Sequence, residues 1–224
     1  MKILAIMGSP LGMKGNTGHL LNGVIGACAD AGADVKTIEL CRLNVGPCRG
    51  CGACHVTGDC PIKDDYAKVK QAMVEADGII FASPNYINCV TAQMKALFDR
   101  CSSLLHCQAF EGKYGIAVVT SGGPGSKEVE NYILRFLRSL GCWTVGSIGA
   151  EARRVADEKA RAEILDTAAG LGRRFTQSIG KKKTYPRQAD ARRAFFERMK
   201  MLVTMNKDNW PYEYRYWKSM GRLS

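Results

Sequence analysis

Four cysteines stand in one short run, Cys48, Cys51, Cys54 and Cys60, within P-C-R-G-C-G-A-C-H-V-T-G-D-C-P. The spacing C-x2-C-x2-C-x5-C aims three thiols of a tight loop at one centre and lets a fourth close it. A cubane iron–sulfur core asks this of its four thiolates, and Pro61 follows the last cysteine as a proline does in bacterial runs of this kind. No second set of this kind is present, so one 4Fe-4S cluster is the expected load. Two other readings stand beside it. Structural zinc also takes four thiolates, usually as two separated pairs, and a loop can carry cysteines without metal. Disulfides fit poorly with a chain that has no export signal.

A second group of candidates lies in three loops rich in small residues. Gly8-Ser9-Pro10-Leu11-Gly12-Met13-Lys14-Gly15-Asn16-Thr17 joins an apolar run to a helical pattern. Small residues there expose backbone N–H groups at a helix N-terminus, which suits a phosphate monoester; an ordinary turn capped by Asn16 is the plainer alternative. A nucleotide-triphosphate loop is excluded, since Lys14 stands between Met13 and Gly15. In the second loop, from Ser83 to Thr91, Pro84 ends a strand and Tyr86 and Ile87 could lie against a flat ring. The third, Thr120 to Ser126, has glycines that let a ligand approach the backbone, or that only make a turn. None of His19, His55 and His106 stands in an acid–base pattern, and no such residue is assigned.

The elements that must position these loops alternate along the chain. Stretches of near-continuous apolar character at 2–7, 35–40, 78–84, 115–119 and 143–148 read as strands. Helical spacing covers 16–31, 64–76, 91–105, 126–140 and 157–179, with Asp64 and Asp65 as N-terminal caps of the second. Five buried strands separated by helices predict an α/β fold with a five-stranded parallel sheet covered on both faces. In such a sheet ligands sit beyond the carboxyl ends of the strands, where the three loops are. Residues 180–186 read as a linker and 190–205 as an amphipathic helix. The aromatic stretch from Trp210 to Trp217 needs a surface to pack on: its own core, a neighbouring subunit, or the edge of a cofactor site. The domain expectation is therefore 1–180, carrying the cysteine loop at 47–63, followed by a basic C-terminal extension at 181–224.

The 224 residues carry a net charge of +11. Residues 1–150 hold 14 basic and 12 acidic side chains, and residues 151–224 hold 18 and 9. No nucleic-acid-binding signature accompanies the basic third, which argues against that class and leaves solvated helix faces or steering of an acidic partner. No apolar run approaches a membrane span or a signal peptide, so a cytoplasmic protein is expected. Cys28 and Cys142 sit in apolar patterns and read as packing residues.

Taken together, the G-S-P…G-N-T loop, the S-P-N-Y segment before A-Q-M-K-A-L-F-D-R and the S-G-G loop resemble the flavodoxin-like NADPH-dependent FMN reductases. With the cysteine run after the second strand, the chain looks most like their iron–sulfur flavoprotein branch; the likeness spans roughly residues 1–150. It implies FMN with its phosphate on Ser9, Lys14, Asn16 and Thr17. The ring would lie between Pro84, Asn85, Tyr86, Ile87 and Asn88 on one side and Ser121, Gly122 and Gly123 on the other. Two positions depart from relatives: Leu11 replaces a common basic residue and Asn85 a common apolar one. The expected function is electron transfer from a donor such as ferredoxin, through the cluster and FMN, to an oxidised acceptor. One alternative is an NAD(P)H-dependent FMN or quinone reductase without a cluster; another is a zinc-stabilised, non-catalytic binding module. A homo-oligomer, dimer or tetramer, is expected.

Overall fold

The inner apolar runs become strands because each is covered on both faces. A computed structural model describes residues 1–223. Its sheet has the order β2-β1-β3-β4-β5, all parallel, from β1 (Lys2–Met7), β2 (Asp34–Glu39), β3 (Gly78–Pro84), β4 (Tyr114–Ser121) and β5 (Trp143–Glu151). Registers such as Ala5 opposite Ile80, and Ile80 opposite Ile116, send alternate side chains to opposite faces.

One face buries Leu4, Ile6, Ile79, Phe81, Ala117 and Val119. It lies under α3 (Tyr66–Glu75), α4 (Ala92–Asp99) and α6 (Ser126–Ser139), which contribute Val69, Met94, Leu97, Ile133 and Leu137. The other buries Ile3, Ala5, Met7, Ile80, Ile116 and Val118 beneath α1 (Asn16–Asp30) and α8 (Glu158–Gly180). Strand order reverses between β1 and β3, so the crevice at their carboxyl ends is the switch point of the sheet.

Four local outcomes differ from the sequence expectation. The helix expected at 91–105 is two, α4 and α5 (Ser102–His106), because the chain turns at Arg100 and Cys101 where the Arg100 side chain leaves to meet Asp64. Asp64 and Asp65 fasten a loop more than they cap α3: Asp65, in the N-cap position, makes no capping bond. The helix expected from residue 190 begins earlier, as α9 (Pro186–Met205), since proline is preorganised for a first turn. Two short helices were not anticipated, α2 (Ala53–Thr57) inside the cysteine run and α7 (Ala152–Ala156) after β5.

The C-terminal segment packs on the molecule itself. Helix α10 (Pro211–Ser219) buries Trp217 with Met199 and Val203 of α9, against Leu105 of α5. Trp217 Nε1 donates to the His106 carbonyl at 2.8 Å, and Arg222 Nη1 to the Cys107 carbonyl at 2.9 Å. Among the described residues no helix is long and apolar enough to cross a membrane.

Candidate functional site

The loops after β1, β3 and β4 meet at the switch point and are tied to one another. Thr91 Oγ1 donates to the Gly8 carbonyl at 2.7 Å, joining the second loop to the first. Thr17 and Thr120 hydroxyls are 2.6 Å apart, joining the first to the third. In the first loop, buried Ser9 accepts the Leu11 N–H at 3.2 Å. A 3-10 turn over Gly12–Lys14 follows, and Lys14 is exposed. Helix α1 then starts with Gly15 in the N-cap position and no side-chain cap, so Asn16 does not cap it. A 15-residue helix with an uncapped N-terminus presents free N–H groups and the positive end of its dipole to a loop of small residues. That arrangement fits a phosphate group.

The second loop folds back on itself. Tyr86 and Cys89 exchange backbone hydrogen bonds of 2.9 and 3.1 Å around Ile87 and Asn88, both in left-handed conformation at φ 50° and 59°. A β-branched residue rarely adopts that conformation, yet Ile87 does so while 98 % exposed. Pro84 closes β3. Behind it, Asn85 donates through Nδ2 to the Gly125 carbonyl at 3.3 Å, while its buried Oδ1 has no partner. Across the crevice, Ser121 is buried and its hydroxyl donates to the Gly123 carbonyl at 2.5 Å. A Cβ on Gly122 or Gly123 would meet no atom within 4 Å, and neither has a positive φ. Nothing in the chain's own packing demands glycine there; the close approach of a ligand would. The unused Asn85 oxygen and this open cradle fit the polar edge and the face of a bound ring.

The cysteine run rises from the same carboxyl edge, after β2, and its two ends are fastened. Asp64 Oδ2 accepts the Gly46 N–H at 2.9 Å, and Asp65 Oδ2 accepts the Asn44 N–H at 2.9 Å. Cys48, Cys51, Cys54 and Cys60 line one pocket together with Tyr66, Arg100 and Ser103. Cys48 Sγ already accepts the Gly50 N–H at 3.4 Å. Burial, then the carboxylate of Glu213, then Cys60 and Cys48, push the Cys54 thiol up. By contrast Cys28 and Cys142 are fully buried away from the pocket, and burial pushes both up to about 12, as packing residues require.

Arg100, passed over in the sequence, is central to this pocket. Its side chain is 1 % exposed and pairs with Asp64, which is 3 % exposed. Nη1 is used by Asp64 and the Gly46 carbonyl, but Nε and Nη2 are buried without a partner. Burial alone would lower the Arg100 pKa; the Asp64 carboxylate, with Cys60 nearby, holds it raised. Two buried nitrogens with unused N–H donors, on a side chain that lines one pocket with four thiols, fit a group with sulfur acceptors and negative charge, as a thiolate-held cluster is. Helix α4 runs from Thr91, beside the phosphate loop, to Arg100, a rise of about 12 Å for its length.

The C-terminal helix packs on α2 within the cysteine run, while Cys48 and Cys51 stay exposed. The Tyr212 ring lies where a Cβ on Gly58 would be, 2.2 Å away, and Gly58 also has φ 86°. Arg215 reaches the Val56 carbonyl at 3.3 Å. Glu213, wholly buried, meets His55 at 2.5 Å. His106, Trp210 and Glu213 share this contact and were not singled out together in the sequence, where no local spacing links them.

A family model described as NADPH-dependent FMN reductase matches residues 1–172. An iron–sulfur flavoprotein of Archaeoglobus fulgidus is 32 % identical, covering 99 % of both chains. An iron–sulfur flavoprotein of Methanocaldococcus jannaschii is 37 % identical over 60 % of this chain and 72 % of its own. Among solved structures, a flavone reductase superposes with a TM-score of 0.65 at 16 % identity, covering 80 % of this chain and 63 % of the other.

Proposed function

Since this chain belongs to the iron–sulfur flavoprotein branch of the NADPH-dependent FMN reductase family, we propose that it is an electron-transfer flavoprotein. It would carry FMN at the β1, β3 and β4 loops and one 4Fe-4S cluster on Cys48, Cys51, Cys54 and Cys60, and pass electrons from a ferredoxin-like donor to an oxidised acceptor. That the protein is an FMN-dependent oxidoreductase follows from the family. The observation that carries the cluster is the cysteine pocket closed by Arg100, whose two buried donors lack partners.

Bound FMN supplies two-electron or stepwise one-electron exchange, and a cubane supplies one-electron passage. The chain's own residues do the rest. The α1 N-terminus, Ser9, Asn16 and Thr17 hold the phosphate, with Lys14 adding charge. Thr17 is oriented by Thr120. Asn85 Oδ1 offers an acceptor to the ring edge, Gly122 and Gly123 leave room for its face, and Tyr86, Ile87 and Asn88 form the rim. Arg100 keeps positive charge beside the cysteines, and α10 limits water at Cys54.

Two measurements test this reading. Replacing Asn16 and Thr17 by leucine weakens FMN binding about 10–100-fold, the worth of one charge-assisted hydrogen bond. Riboflavin, which has no phosphate, should shift far less. Equal loss of both ligands, read by fluorescence titration, puts the phosphate elsewhere. In stopped flow, reduced ferredoxin should reduce the flavin quickly and NAD(P)H slowly, with the ferredoxin route lost in Cys54→Ala. Rapid NAD(P)H oxidation indifferent to Cys54 would establish the alternative, an NAD(P)H-dependent quinone or FMN reductase. Arg187, Arg193 and Arg198 are exposed on α9. If they steer an acidic donor, rising salt slows the ferredoxin step, because exposed charges are screened.

A further inference from the structure

Beside the cysteine pocket, Glu213 of α10 is 0 % exposed, although no lysine or arginine pairs with it. A carboxylate so buried demands compensation. What faces it is two imidazoles. His55 Nδ1 lies 2.5 Å and His106 Nδ1 3.7 Å from Glu213 Oε1. Trp210 stacks on both rings, at centroid distances of 5.0 and 4.4 Å, and fixes their planes. These three ligand atoms all lie within 4.8 Å of one another, the one such gathering of His, Cys, Asp or Glu among the described residues.

The hydrogen bond between His55 and Glu213 leaves this cluster half satisfied. Glu213 Oε2 and His106 Nδ1 are both buried with no hydrogen-bond partner. One cation among the three side chains would satisfy all of them. Two imidazoles and a carboxylate suit a divalent first-row transition ion and not magnesium or calcium, which prefer all-oxygen shells. A tetrahedral ion with bonds of about 2.0–2.2 Å sets its ligand atoms roughly 3.4 Å apart, so the observed 2.5 and 3.7 Å need only small adjustment. Both histidine side chains are 17 % exposed, which gives an ion a way in.

We propose that His55, His106 and Glu213 form a second metal site, for Zn(II) or Fe(II), that fastens the C-terminal helix to the cysteine run. The site is separate from the four cysteines, and it stands whatever they hold. Its ion joins three stretches of chain: α2 one residue from Cys54, the end of α5, and α10.

The test uses the full chain, purified anaerobically, with FMN, iron and sulfide measured before any addition so that the cysteine assignment is judged separately. After chelator treatment, Zn(II) is added in equilibrium dialysis. One zinc per chain should bind, and X-ray absorption at the zinc edge should show nitrogen and oxygen neighbours at about 2.0–2.1 Å with no sulfur near 2.3 Å. Glu213→Gln and His106→Gln should each weaken zinc at least about 100-fold, beyond what loss of an outer-shell partner does, with FMN content unchanged. Zinc held through sulfur alone, no stoichiometric zinc, or unaltered affinity in His106→Gln overturns the proposal. Should Glu213→Gln fail to fold, the His106 variant and the zinc-edge spectrum decide alone.

Discussion

Replacing any one of Cys48, Cys51, Cys54 or Cys60 by alanine strips the anaerobically purified protein of its iron while FMN stays bound. The wild type should hold roughly four iron and four sulfide per chain, as a cubane on four thiolates requires. The expected effect is near-complete because all four ligands come from one loop, which holds no further cysteine to replace a lost one. FMN should survive because the phosphate loop is braced by Thr91 and Thr120, outside the cysteine run. Cys28→Ala and Cys142→Ala serve as controls and should keep full iron, since both thiols are buried in the two sheet cores. Iron, sulfide and zinc analysis decides the matter. Zinc in place of iron after strict anaerobic handling would sink the cluster assignment.

Arg100→Met has the largest expected cost in stability. Removing one partner of a buried ion pair strands the other, at about 3–5 kcal/mol, and here Asp64 would be left 3 % exposed without its cation. The pH dependence follows from Asp64. Burial would raise its pKa, but bonds from Arg100 and the N–H groups of Gly46 and Tyr66 hold it lowered. A depressed folded pKa contributes stability that is present above the unfolded value and is lost as pH falls through the folded one. Wild-type stability should therefore fall on acidification through the acid range, and the variant, already lacking the pair, should respond less. In the cluster-bearing protein the same change withdraws a positive charge and two N–H donors from the sulfurs, so the reduced state is less favoured and the cluster potential drops. An unaltered potential together with unaltered denaturant midpoints would remove Arg100 from the site.

The inner sheet was legible because β1, β3 and β4 are covered on both sides, so continuous apolar runs carry no ambiguity of face. β1 and β3 match the expected spans, and the loops follow from parallel connectivity. The break between α4 and α5 was not legible: periodicity continues through it, and the turn is caused by a side chain drawn to Asp64, 36 residues away in sequence. A lone arginine closing an apolar helix was the available signal. Pro186 likewise marked the true start of α9. The seating of the tail lay beyond local pattern altogether. Its aromatic content announced that it must pack, but only the tertiary contact of Tyr212 with Gly58 and of Glu213 with His55 chose the cysteine run over the flavin loops.

That seating has a consequence for how the protein is made. Glu213 is separated from His55 by 158 residues. At about 5–20 residues per second on the ribosome, the cysteine run exists for roughly 8–30 s before its cover has been synthesised. During that interval its thiols face the cell with the flavodoxin-like layers still incomplete. Assembly machinery thus meets a fully open cysteine loop early, and late a loop whose Cys48 and Cys51 stay exposed while α10 packs beside Cys54.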